Sequence, residues 1–78
     1  MKVLAFGIVK DIFSNSVIDF DLTDGETIDK LKTLLKEKYP QLDHLGSYMI
    51  AVNNEYVSGN DVIHESDEVA IIPPVSGG

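Results

Sequence analysis

Seventy-eight residues make one small domain with a single core, since a chain of this size buries only about 60% of the surface that its unfolded form exposes. Six lysines, no arginine and thirteen acidic residues leave it at −7, without the basic stripe that neutralises phosphates, which excludes nucleic-acid binding. The absence of cysteine removes disulfides, thiolate metal sites, side-chain thiolate nucleophiles and side-chain persulfides in one step.

Residues 2–9 are rich in apolar and β-branched residues and predict a first strand, with Lys10-Asp11 opening the connection. On such a strand Leu4, Phe6 and Ile8 share one face while Val3, Ala5, Gly7 and Val9 share the other, so both faces are apolar and one of them is a candidate interface. Ser14-Asn15-Ser16 reads as a turn, and residues 17–22 alternate apolar and acidic from Ile18 onward, as a second strand with one wet face does. Asp24-Gly25 closes that hairpin. Thr27 is placed to cap a helix over 28–38, because its hydroxyl can accept from the free amides of the first turn. Tyr39-Pro40 stops it. Ile28, Leu31, Leu34 and Leu35 form one stripe of that helix and are expected in the core.

Residues 41–47 read as a connection with one short helical turn at 42–45. A third strand is expected over 48–52, turned by Asn53-Asn54 into a short fourth around Tyr56-Val57. Ser58-Gly59-Asn60-Asp61 is loop, Glu65-Ser66-Asp67 is a turn, and residues 68–72 make the last strand. The order β-β-α-β-β-β in so short a chain points to one main helix packed across a mixed sheet, an α+β fold. No stretch approaches the roughly 18 to 20 apolar residues of a membrane span, and Lys10 and Asp11 arrive too early for a secretory segment, so a cytoplasmic location is expected with no membrane contact. The acidic balance either steers the domain toward a basic partner or keeps it soluble. His44 and His64 stand apart, without metal-ligand spacing, and no metal site is expected.

Beyond the last strand come Pro73-Pro74-Val75-Ser76-Gly77-Gly78. Two prolines favour stiff, extended backbone and two glycines make a slim tip able to pass a narrow channel. The strand order, Ala51-Val52-Asn53, and the run from Asp67-Glu68 through Val69-Ala70-Ile71-Ile72 to Pro-Pro-Val-Ser-Gly-Gly resemble the β-grasp sulfur carriers of the ubiquitin-like superfamily, most closely the molybdopterin synthase small-subunit family. The resemblance covers essentially the whole chain and implies a ubiquitin-like β-grasp domain over residues 1–72 and a C-terminal tail over 73–78. One departure is Ser66, where that family usually has glycine.

The chemistry then falls on Gly78. Its α-carboxylate, with an ordinary pKa near about 3.5, is an anion and a poor electrophile, so it must be activated. Adenylation would make it a mixed anhydride from which a sulfur donor displaces AMP, leaving a thiocarboxylate. The chain has neither a Gly-x-x-x-x-Gly-Lys loop nor a basic cluster for ATP, so ATP is used by a partner, and the chain itself is expected to bind no cofactor. Residues 73–78 can extend about 20 Å, long enough to carry Gly78 into another protein's active site.

The resemblance supplies the partners: an E1-like adenylyltransferase, a sulfur donor, and the large subunit of molybdopterin synthase in a heterotetramer. In that large subunit lies the catalytic site for converting cyclic pyranopterin monophosphate to molybdopterin, so the chain alone is not an enzyme. It also implies that Pro73, Pro74, Val75, Ser76 and Gly77 thread into the partner while Phe6, Tyr56 and Ile72 dock against it. A ubiquitin-like modifier joined through Gly78 to target lysines, and a sulfur carrier for thiamine biosynthesis, share the same activation and remain alternatives.

Overall fold

A computed structural model describes residues 1–74. Its main sheet has five strands in the order β2-β1-β7-β4-β5, comprising β1 (Lys2–Ala5), β2 (Val17–Asp19), β4 (Met49–Val52), β5 (Glu55–Tyr56) and β7 (Val69–Ile72). A separate pair joins β3 (Glu26–Thr27) to β6 (Val62–Ile63). β1 and β7 run parallel at the centre, while β1–β2, β4–β7 and β4–β5 are antiparallel, so the sheet is mixed. Helices α1 (Ile8–Phe13) and α2 (Ile28–Lys38), with a 3-10 helix at Pro40–Leu45, complete the α+β fold.

The first strand is shorter than its sequence suggests. β1 ends at Ala5, and Ile8 and Val9 begin a helix instead of continuing the strand. Gly7 causes the break: at φ 56°, ψ −131° it takes a backbone conformation close to the first corner of a type II′ turn, which a side chain resists. Val9 and Lys10 then donate to the carbonyls of Phe6 and Gly7 at 3.1 Å each. Val9 and Phe13, four apart on one face of α1, are buried, and Phe13 meets the Tyr39 ring with centroids 4.4 Å apart. Burial holds this six-residue helix, since so short a helix is not stable alone.

α2 forms as its sequence predicts. Lys30 N donates to the Thr27 hydroxyl at 3.2 Å, and Ile28 N and Asp29 N donate to the carbonyls of Asp61 and Gly59 at 2.9 and 3.1 Å. The first-turn amides are therefore satisfied by the cap and by the loop before β6. Ile28, Leu31 and Leu35 are buried, and Leu34 packs half-buried against the core. The stripe lies across one sheet face, where Val3, Ala5, Ile18, Ile50, Val69 and Ile71 point inward.

β2 stops at Asp19, so the second strand is half as long as its alternation suggests, although Phe20 beyond it is still buried. β3 and β6 are two residues each, too short to show a period of two, and they exist only as a pair. Asn53 and Asn54, at φ 52° and 69°, make the turn between β4 and β5 as expected. Among the described residues the other non-glycine with positive φ is Ser14, so Ser66 sits in ordinary backbone and its turn has no need of glycine.

Candidate functional site on the open sheet face

One face of the sheet carries α2; among the described residues the other carries no helix. The register puts Val17 opposite Leu4, Leu4 opposite Ala70, Ala70 opposite Ala51 and Ala51 opposite Tyr56. Paired residues share a face, so these five side chains form one unbroken row across all five strands. Each alternates with an inward neighbour: Leu4 lies between buried Val3 and Ala5, and Ala70 between buried Val69 and Ile71. A second rank follows, with Ile72 opposite Met49.

Ala51 and Ala70 are small, so the middle of the row is low between larger neighbours. The result is a groove of about 280 Å³ lined by Leu4, Phe6, Ala51, Asn54, Tyr56, Glu68, Ala70 and Ile72. Phe6 is 48% exposed and Tyr56 64%, while Ile72 is half-buried. The three residues expected to dock a partner therefore border one groove, and Phe6 and Tyr56 lie outside the core. Ile8, grouped with Leu4 and Phe6 on the predicted first strand, sits instead at the start of α1. Leu4, Ala51, Ala70 and Met49 complete the surface; their signal in sequence is alternation with the core residues, which becomes readable once the helix-bearing face is known.

A larger hollow of about 740 Å³, touching Met1, Phe20, Leu34 and Lys38, lies where β2 approaches α2. It is open and as polar as it is apolar, with Lys38 Nζ 5.6 Å from the Phe20 ring centre. The smaller groove is the better site, since its walls are exposed apolar side chains and the chain leaves the sheet beside it. There Pro73 is half-buried and Pro74 exposed. Val75, Ser76, Gly77 and Gly78 lie outside the described residues.

A polar bracket fixes the rim of the groove. Asn53 Oδ1 accepts from Glu68 N at 3.0 Å and Asn53 Nδ2 donates to Asp67 Oδ1 at 3.0 Å, while Asn53 N donates to the Glu68 carbonyl at 2.8 Å. Asp67 Oδ2 in turn accepts from His64 N at 2.8 Å. The His64 amide first, then Asn53, hold the Asp67 carboxyl below its ordinary pKa, with the nearby His64 adding to the effect. Acidic residues in such a turn are usually only solvated; here Asp67 ties the β4–β5 turn to the start of β7 and thereby sets the position of Glu68 on the groove. His64 Nδ1 stands 3.6 Å from Asp24 Oδ2 on the exposed surface.

A five-stranded mixed sheet with its two central strands parallel and one main helix across it defines a ubiquitin-like β-grasp protein. Within that class the chain belongs to the ThiS family, whose family model matches residues 3–78. It is 44% identical over 81 residues to a molybdopterin synthase sulfur carrier subunit of Dictyostelium discoideum, covering 99% of this chain and 94% of that protein. Among solved structures it is similar to a chain in a protein–protein complex of subunits 1 and 2 of the molybdopterin-converting factor from Helicobacter pylori, at 26% identity and TM-score 0.70, with 99% and 96% of the two chains covered. It is also similar to small archaeal modifier protein 1 from Methanosarcina acetivorans, at 25% identity and TM-score 0.80 over 99% and 94%.

Proposed function

We propose that this chain is the sulfur carrier subunit of a molybdopterin synthase. The observation that carries the reading is the apolar row across the open sheet face, which reaches Ile72 and the exit of the chain at Pro73. A full-length relative at 44% identity bears the sulfur-carrier name, which supports it. The open face docks on the large subunit, residues 73–77 enter that subunit, and Gly78 arrives at its active site. Burying an apolar groove at a protein interface supplies the affinity, while the tail supplies the chemistry.

Before docking, an E1-like adenylyltransferase joins the Gly78 carboxylate to the AMP moiety of ATP, releasing pyrophosphate. Sulfide from a sulfur donor then attacks the carbonyl carbon, AMP leaves with the carbon–oxygen bond broken, the sulfur loses its proton, and a thiocarboxylate remains. In the large subunit the thiocarboxylate sulfur is transferred to cyclic pyranopterin monophosphate on the way to molybdopterin, and water returns the acyl group to a carboxylate. The chain acts as a co-substrate, with acid, base and pterin contacts provided by the partner in a heterotetramer of two small and two large subunits.

Intact-mass spectrometry after incubation with the activating enzyme, ATP and sulfide tests this reading. Replacement of one oxygen by sulfur at Gly78, followed by its loss on adding the large subunit and the pterin precursor, is the expected result. A thiocarboxylate that the large subunit never consumes would sink it. The likeness to an archaeal modifier favours a second reading, attachment through Gly78 to target lysines. Isopeptide-linked C-terminal peptides of this chain, ending in Ser76-Gly77-Gly78 and spread over many target lysines in native extracts, would establish that second activity, and a carrier acting alone leaves none.

A further inference from the structure

The chain leaves the sheet beside a turn, not beside a strand. β7 is paired with β1 through Ile71 opposite Ala5, but Ile72 is paired only with Met49 of β4, because β1 has already bent away at Phe6 and Gly7. The next residue, Pro73, is seated against that bend: a methyl built on Gly7 would stand 3.2 Å from Pro73 Cγ, a few tenths of an ångström too close. Gly7 thus meets two independent demands. Its φ of 56° suits a residue without a side chain, and its bare Cα leaves the space that the proline ring occupies.

We propose that Gly7 is a positioning residue for sulfur transfer, its bare Cα forming the seat on which Pro73 fixes the direction in which the tail leaves the docking face. This role rests on the sulfur-carrier reading. The proline ring restricts φ, so a ring held in place fixes the start of the tail relative to Phe6, Tyr56 and Ile72. A tail rooted in this way has one residue fewer to order when it enters the partner. Ordering a single backbone residue is worth about a 5- to 30-fold change in an equilibrium or a rate.

The test uses full-length thiocarboxylate forms of the wild type, Gly7→Ala, Pro73→Ala and the double variant with the large subunit. Melting temperature, Kd and single-turnover sulfur release are read for each. Pro73→Ala leaves the Gly7 turn intact and is expected to fold like the wild type and bind within about twofold, yet release sulfur about 5- to 30-fold more slowly. Gly7→Ala is expected to melt lower and to show at least the same slowing per folded molecule. The double variant should be no slower than Gly7→Ala, because Gly7→Ala blocks the same seat that Pro73→Ala vacates. Wild-type release by Pro73→Ala, or additive losses in the double variant, would overturn the role while leaving the carrier reading intact. Failure of the wild type itself to release sulfur would overturn both.

Discussion

Truncating Phe6 separates docking from folding. The side chain is 48% exposed, on the wall of the groove beside Leu4 and Ile72. A phenylalanine presents about 200 Å² for burial, so the exposed half offers a partner about 100 Å², worth about 2.5 kcal/mol at about 25 cal/mol per Å². Phe6→Ala should therefore weaken binding to the large subunit about 60-fold, and Phe6→Asp more, because a charge would then be desolvated in the interface. The half of the ring already covered within the domain contributes about 1 to 2 kcal/mol to stability, well short of the 2 to 5 kcal/mol expected for Leu31→Ala in the fully buried stripe. Calorimetric titration against the large subunit, beside urea unfolding of each variant, reads both quantities. Unchanged affinity for Phe6→Asp would refute docking through the open face, and unfolding as severe as that of Leu31→Ala would refute the placement of Phe6 outside the core.

Three further outcomes are expected. Asn53→Ala removes the bracket to Asp67 and Glu68 and places alanine at φ 52°, so it should lose about 1 to 3 kcal/mol, and Asn53→Gly less because glycine accepts that backbone; urea unfolding and hydrogen exchange at the Glu68 amide check this. Because the Asp67 pKa is lowered on folding, its contribution is fully present above the ordinary value of 3.8 and fades as pH falls through the lower folded value. Asp67→Asn should flatten the acid limb of a stability-against-pH curve below that range, and an unchanged limb would count against the bracket. Deleting Gly78 should abolish sulfur transfer with the melting temperature unchanged; equal transfer by the shortened chain would refute chemistry at that residue.

Much of the local structure was legible because it depends on neighbours in sequence. Thr27 before the Ile28, Leu31, Leu35 stripe announces α2, and Asn53-Asn54 announces the turn after β4, since side-chain capping and positive φ are properties of a few adjacent residues. The Pro-Pro-Val-Ser-Gly-Gly ending with Asp67-Glu68 carries the family resemblance, and the bracket that joins Asn53 to Asp67 and Glu68 ties its two separate motifs together in space. The first strand misled because Ile8 and Val9 are β-branched and apolar. Their helix is set by Gly7 and by the burial of Val9 and Phe13, which no local preference announces.

The amino-acid sequence by itself determined the α+β class, the capped helix and its core stripe, and the family resemblance carried by its ending, because periodicity, caps and motif are written in short windows. Only the tertiary structure decided which sheet face stays open. A strand such as β1 or β7 is apolar on both sides, and its inner side is defined by where α2 lands. It also brought Leu4, Ala70, Ala51 and Tyr56 into one row and set Gly7 beneath Pro73, sixty-six positions later in the chain. Such contacts depend on strand register and on the path of the whole backbone, and these are settled by burying the core as a unit.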